Sequence, residues 1–144
     1  MNAPSPLAYQ ATAVAIAGRA VLIEGAPGSG KTSLALELID RGARLIGDDG
    51  LHLVREADRL IARPHPNTRG LIEVRNLGVL ATPFCERAPV CLVLRLDENA
   101  PRFVEGPAPI ERGGIALPSL ALWPRSGPLA IKAELALATY GLAL

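Results

Sequence analysis

The segment Gly25-Ala26-Pro27-Gly28-Ser29-Gly30-Lys31-Thr32 sets glycines, a lysine and a hydroxyl at the spacing G-x-x-x-x-G-K-[ST]. A polyphosphate crowds several negative charges together, and a loop of this kind meets them with main-chain N–H groups that its glycines allow to turn inward. Lys31 offers its charge to the outer phosphates, and the Thr32 hydroxyl, followed by Ser33, is the ligand such a loop presents to Mg²⁺. The chain has 13 arginines but only two lysines, Lys31 and Lys132, so the lysine in this motif is a selective placement. The apolar run AVLIE precedes the loop. SLALELIDRG follows it, with Leu34, Leu38 and Ile39 on one helical face and Gly42 placed to end the helix. Strand, glycine-rich loop and helix, in that order, are the setting in which the motif binds phosphate.

A loop that holds phosphates needs carboxylates for the metal and for proton transfer before it can do chemistry. Asp48 and Asp49 close the next short strand, ARLIGDDG, at the edge where an open α/β sheet presents its ligands. Neighbouring strand residues point to opposite faces, so the two acids are expected to divide their roles. Glu73, inside LIEVRNLGVL, is a third carboxylate, with Arg75 as a nearby charge partner. His52 and His65 share no metal-ligand spacing with the acids and are read as surface histidines. Cys85 and Cys91, six apart around Pro89, match neither a zinc site nor a disulfide framework; they are read as reduced thiols, one near a turn and one in a strand.

The elements that must carry these groups follow from composition and pattern. With 144 residues, 49% of them apolar, and a net charge of +1, the chain is expected to form one domain over residues 1–144 with ample core. Only 3% of residues are aromatic, which removes the stacking platform of a single-strand binder, so no nucleic-acid partner is expected. No basic residue precedes Arg19 and no apolar run is long enough to cross a bilayer, so the expectation is a cytoplasmic protein without membrane contact. TAVAIA and AVLIE predict a hairpin at Gly18-Arg19, and LHLVRE with RLIARP another around Ala57-Asp58. LIEVRNLGVL predicts a strand pair, and APVCLVLRLD a buried strand. Six of the 13 prolines lie between Pro101 and Pro128, predicting an irregular or edge-strand region with a mobile loop. PLAIKAELALATYG then predicts a helix with Pro128 in its first turn and Gly141 near its end.

AVAIAGRAVLIEGAPGSGKTSLALELIDRGARLIGDDGLHL, followed by GLIEVRNLGVL, resembles the catalytic domain of bacterial HPr kinase/phosphorylase, in a short form lacking the family's N-terminal domain. EVRNLG carries most weight, because it lies near a family signature that ordinary P-loop enzymes lack. The resemblance implies an α/β fold, a strand-rich P-loop domain of the HPr kinase/PEP carboxykinase-like type with two main helices. It implies an enzyme that uses ATP or pyrophosphate, with Mg²⁺, to phosphorylate a serine of the phosphocarrier HPr, and that removes the phosphate by phosphorolysis. It further implies a homo-oligomer, a hexamer in the family. Carried over by residue, Gly25 to Ser33 hold the nucleotide and Lys31 its phosphates. Asp48 is the acid/base, while Thr32, Asp49 and Glu73 attend the metal. Arg102, in APRFVE, matches a loop arginine that assists the transferred phosphate. Gln10 stands where the family has a histidine and Ser33 where it has an acid. These two departures motivate an alternative reading, a nucleotide-binding regulatory module with weak or lost transfer. A small-molecule P-loop kinase is a third reading, against which the chain shows no arginine-rich lid.

Overall fold

A short strand β1 (Leu7–Tyr9) leads into β2 (Thr12–Ile16) and β3 (Arg19–Gly25), and the last two pair as an antiparallel hairpin. Ala17 and Gly18 turn it with φ of 50° and 83°, the left-handed pair that a two-residue hairpin turn requires. The computed structural model describes residues 5–144; the first four residues, included in the N-terminal reading above, lie outside the described residues. After β3 come α1 (Lys31–Asp40), β4 (Arg44–Gly47), and a second hairpin of β5 (Leu51–Glu56) and β6 (Arg59–Pro64). A single 3₁₀ turn (Pro66–Thr68) precedes β7 (Leu71–Val74) and β8 (Gly78–Ala81). The chain continues through β9 (Ala88–Leu96), β10 (Ala108–Arg112), β11 (Ile115–Leu122) and α2 (Leu129–Tyr140).

Nine strands form one sheet in the order β1-β5-β6-β9-β3-β2-β4, with β11 beside β9 and β10 beside β11; β7 and β8 pair separately. β3, β9 and β11 run parallel, and Gly25, Leu96 and Leu122 stand abreast at their carboxyl ends. These three strands therefore deliver their following loops to one edge.

The sheet is buried on both faces, which is why its central strands read as continuous apolar runs. On one face Val21, Ile23, Leu92 and Leu94 pack against Leu34, Ala35 and Leu38 of α1 and Ala133, Ala136 and Leu137 of α2. On the other, Ala20, Leu22 and Val93 meet Leu51, Leu53 and Leu60, where β5 and β6 fold over the sheet. Of the predicted α1 stripe, Leu34 and Leu38 are buried and Ile39 partly so; Ala35, which the stripe omitted, is fully buried. Register slips between Ala20 and Val21, leaving Cys91 as the extra residue in β9. Its carbonyl then accepts from Leu142 N–H, fixing the C-terminal end of the chain.

The stretch from Pro101 to Pro128 holds irregular chain and an edge strand, β10, as its prolines predicted, and in addition an interior strand, β11. Irregular chain is confined to its ends, and between them β10 and β11 form a hairpin whose outer half (Ser119–Leu122) joins the main sheet. Pro118 and Pro109 face each other across that hairpin. β11 pairs with β9 only from Ser119 onward, so Pro118 falls outside the parallel ladder, where a missing N–H costs nothing.

One polar network interrupts the second core. Arg112 donates from Nε and Nη2 to the two Glu24 carboxylate oxygens at 2.9 and 2.8 Å, and from Nε to Tyr9 Oη at 2.6 Å; Tyr9 in turn donates to Glu24. The three residues tie β1, β3 and β10 together one residue before the phosphate loop begins. Burial alone would raise the Glu24 pKa, but the hydrogen bonds from Arg112 and Tyr9 and the Arg112 charge outweigh it and hold the carboxyl below its ordinary value. Burial, with Glu24 beside it, pushes the Tyr9 phenol from 10.0 up to about 12.

Two outcomes follow from this framework. Because the unfolded phenol ionises first, the Tyr9 contribution to stability should be intact below pH 10 and lost as pH rises through about 12. An ultraviolet phenolate titration of the folded protein, which has two tyrosines, should show one late transition that Tyr9→Phe removes. A late transition surviving in Tyr9→Phe would contradict the network. At Gly47 a Cβ would run into the Gly50 carbonyl and Leu51 Cβ, both part of the tight turn that holds Asp48 and Asp49. Gly47→Ala should cost about 1–3 kcal/mol in urea unfolding, and an unchanged midpoint would show the turn to be adaptable.

Candidate active site

The segment Gly25 to Thr32, read from the sequence as a phosphate loop, runs from the end of β3 to the first turn of α1. Gly30, the N-cap of the helix, sits at φ 103°, a left-handed conformation that a residue with a Cβ rarely takes. Ser29 N–H donates to Ala26 O and Leu34 N–H to Gly30 O, closing the loop onto the helix. α1 has no acid in its first turn and no side-chain cap, so its positive end is left for an anion. Ser29 Oγ is buried and has no hydrogen-bond partner among the described residues.

Four of the residues singled out in the sequence converge here. Thr32 Oγ1 donates to Asp48 Oδ1 at 2.8 Å, and Asp48 Oδ2 accepts the Glu73 backbone N–H at 3.1 Å. Lys31 Nζ donates to Gly25 O at 2.9 Å and lies 4.0 Å from Asp49 Oδ1. The two aspartates do divide. Asp48 is half-buried against Thr32; Asp49, at φ 59° and exposed, sends its N–H to Thr12 Oγ1. Thr12 is fully buried, so this bond occupies its hydroxyl and fixes the turn.

Glu73 reaches the site through its main chain, brought by the separate β7–β8 ribbon; its side chain is exposed, and no ion pair joins it to Arg75 among the described residues. Arg102 is not brought to the loop. Its guanidinium rests 5.4 Å from the Phe103 ring centroid on the exposed segment between β9 and β10, with no hydrogen bond or ion pair to the site among the described residues. Gln10 and Ser33 are exposed, one between β1 and β2 and one in the first turn of α1.

The structure also supplies a residue that the sequence reading passed over. Arg125 Nη2 donates to Gly28 O, in the middle of the phosphate loop, at 2.6 Å. Nothing in local sequence pattern marks Arg125; its place follows from β11 running parallel to β3. His52 and His65, read separately from sequence, stack edge-on with ring centroids 5.1 Å apart, and His65 Nδ1 accepts from Asn67 N–H. Both cysteines are free, as read: Cys91 lies buried in β9 and Cys85 half-buried in the β8–β9 connection.

Among the described residues no cluster of three or more His, Cys, Asp and Glu side chains could hold a metal ion. The donor set nevertheless suits Mg²⁺, which takes one or two carboxylates and completes its shell with phosphate oxygens and water. Thr32 spends its proton on Asp48, which leaves the hydroxyl lone pairs for a cation. No described helix is long and apolar enough to cross a membrane.

This arrangement is chemically suited to gripping a polyphosphate with a carboxylate beside it, and comparisons with known proteins identify the family. The profile of the HPr Serine kinase C-terminal domain matches residues 5–84. An HPr kinase/phosphorylase of Mycoplasma mycoides is 41% identical over 102 residues, which is 65% of this chain and 33% of that protein. Another from Clostridium beijerinckii is 43% identical over 67 residues, 46% of this chain and 22% of that protein. The chain thus spans a third or less of the length of these curated relatives. Among solved structures, the Hpr(Ser) kinase/phosphatase from Coxiella burnetii superposes with a TM-score of 0.83 at 25% identity, covering 92% of this chain and 88% of that one. The fold is accordingly mixed α/β, strand-rich with two helices, and like that structure. The chain belongs to the HPr Serine kinase C-terminal domain family.

Proposed function

We propose that this protein is a Mg²⁺-dependent serine kinase, with ATP or pyrophosphate as donor and an HPr-like phosphocarrier as acceptor, and that it also runs the reverse phosphorolysis. The observation that carries the reading is the Thr32–Asp48 hydrogen bond, which sets a carboxylate beside the phosphate loop. Residues 1–144 are read as one catalytic domain, cytoplasmic and, as the family resemblance implies, homo-oligomeric. That α1 and α2 share one face of the main sheet supports the single unit.

In the forward direction the acceptor serine oxygen attacks the terminal phosphorus, and the bond to the bridging oxygen breaks. ADP, or inorganic phosphate when pyrophosphate is the donor, departs. Asp48 takes the serine proton. A carboxylate has about four lone-pair positions, and the Thr32 hydroxyl and the Glu73 N–H occupy only two of them. The same two bonds fix the carboxylate so that it need not reorganise as the proton arrives. In reverse, Asp48 removes a proton from inorganic phosphate as its oxygen attacks the phosphoserine phosphorus; the bond from that phosphorus to the serine oxygen breaks, Asp48 returns the proton to that oxygen, and pyrophosphate and serine result. Lys31 neutralises charge on the outer phosphates, and Gly25 to Ser33 cradle the chain of phosphates. Arg102, carried over from the family, would have to swing in with its exposed loop. Thr32, Asp49 and Glu73 would hold Mg²⁺, which when bound offsets the charge of the phosphate oxygens.

A protein acceptor suits the surroundings. Leu77, Val79 and Leu80 of the β7–β8 ribbon are exposed beside the backbone N–H that Asp48 accepts, and Phe103 is 82% exposed on the Arg102 segment. The absence of an acid in the first turn of α1, with Ser33 there instead, favours the regulatory-module reading, which the same experiment separates.

Incubation with γ-labelled ATP, Mg²⁺ and an HPr-like carrier should label the carrier on serine. Asp48→Asn should lower the rate about 10²–10⁴-fold while nucleotide affinity stays within a few-fold. Wild-type rates in Asp48→Asn would remove the base assignment; tight nucleotide binding without any transfer by the wild type would leave the regulatory module standing.

A further inference from the structure

We infer that Arg125 reads the terminal phosphate of the bound nucleotide and so sets the preference for triphosphate over diphosphate. The inference rests on the phosphate-loop reading of Gly25 to Thr32 and adds a residue that neither motif nor resemblance assigned.

Topology brings Arg125 to the loop. β3, β9 and β11 are parallel neighbours with Gly25, Leu96 and Leu122 in register, so the β3 and β11 ends are two strand spacings, about 10 Å, apart. The chain leaving β3 becomes the phosphate loop, and the chain leaving β11 becomes the Trp123–Pro128 connector. Both emerge at the edge where parallel strands present ligands.

The connector is held there by bonds at each end. Trp123 Nε1 donates to Ala100 O at 2.5 Å, and Asp97 N–H donates to Leu122 O at 2.9 Å. Lys132, the second of the chain's two lysines, reaches back from α2 to Ser126 O and Oγ at 3.1 and 3.2 Å. Between these anchors Arg125 itself adopts φ 57°, a left-handed conformation unfavourable for a side chain of its size. Strain of this kind persists where surrounding bonds over-determine it, and it gathers at sites that bind. Here it aims a guanidinium at the phosphate loop.

The contact made is weak relative to what the group can do. A guanidinium carries five N–H donors in a planar fork suited to phosphate oxygens. Arg125 gives Nη2 to the neutral carbonyl of Gly28 and is otherwise exposed, with no carboxylate paired to it among the described residues. A phosphate offers charge and two oxygens in place of one neutral acceptor, and charge-assisted bonds are about twice as strong as neutral ones. The loop wraps its anion with N–H groups, so a cation bound to the loop's own middle residue lies beside the outer end of that anion. Arg125 therefore gains a partner when the terminal phosphate is present and keeps the Gly28 carbonyl when it is not.

The test is the affinity of Mg·ATP and Mg·ADP, measured by displacement of a fluorescent nucleotide, for the wild type, Arg125→Met and Arg125→Lys. Arg125→Met should weaken ATP binding about 10- to 100-fold, the worth of a lost charge-assisted contact, while ADP binding changes less than threefold. Arg125→Lys should recover part of the difference. Retained ADP binding shows that the loop is still built, so a purely structural role cannot produce this pattern. Equal loss of ATP and ADP affinity, or an unchanged ratio, would overturn the role of Arg125. Failure of the wild type to bind either nucleotide would overturn the phosphate-loop reading itself, a different result from a wild type that binds both and a variant that discriminates as before.

Discussion

The hydrogen bond from Thr32 to Asp48 joins two pieces of chain that the sheet keeps apart. β4, which Asp48 follows, does not pair with β3, which leads to Thr32; β2 stands between them. The helix from the phosphate loop must therefore cross β2 before the chain can return as β4, and α1 packs on β2 as it does so. Ten residues of helix and a short turn at Gly42 cover that distance. One contact at 2.8 Å thus reports whether hairpin, helix and fourth strand have all assembled correctly. An error in any of the three separates the carboxylate from the loop.

The remaining topology serves the same edge. Parallel pairing of β3, β9 and β11 gathers three loops at the carboxyl ends, while the antiparallel pairs β2–β3 and β5–β6 close the core. Among the described residues the buried polar side chains are Thr12 and Ser119, and Thr12 and the half-buried Glu24 sit close to the edge. Thr12 fixes the backbone of Asp49, and the Tyr9–Glu24–Arg112 network begins one residue before Gly25. A half-buried carboxylate is costly unless it is fully bonded, and Glu24 accepts from both partners. The network thus holds rigid the strand end from which the loop springs.

Local pattern made the helices, the hairpins and the phosphate loop legible, because a helix face or a turn is written within a few residues. Groups joined by tertiary pairing were not. Glu24 and Arg112 lie 88 positions apart, Arg125 and Gly28 97, and no periodicity links either pair. β11 was obscured because proline counts against a strand interior, yet Pro118 lies where the parallel ladder has not begun. The resemblance drew attention to Arg102, whereas the strand order delivers Arg125. Asp48 and Thr32 could be paired from sequence only because phosphate-loop chemistry requires a carboxylate, not because anything nearby in the chain said where it would come from.

The resting partners of the site's cations explain how such a loop can accept an anion with little rearrangement. Lys31 is bonded to the Gly25 carbonyl, with Asp49 at the outer limit of an ion pair, and Arg125 to the Gly28 carbonyl. Both acceptors are neutral and both belong to the loop. Had Lys31 or Arg125 been locked to a close, buried carboxylate, a phosphate would first have to break that pair and leave the acid uncompensated, a loss of about 3–5 kcal/mol. The acids are instead occupied by groups that phosphate does not displace: Asp48 by a hydroxyl and an N–H, Glu24 by Arg112 and Tyr9. Lys31 and Arg125 thus rest chiefly on neutral carbonyls, so a phosphate bound as proposed would meet them without first breaking a close, buried ion pair.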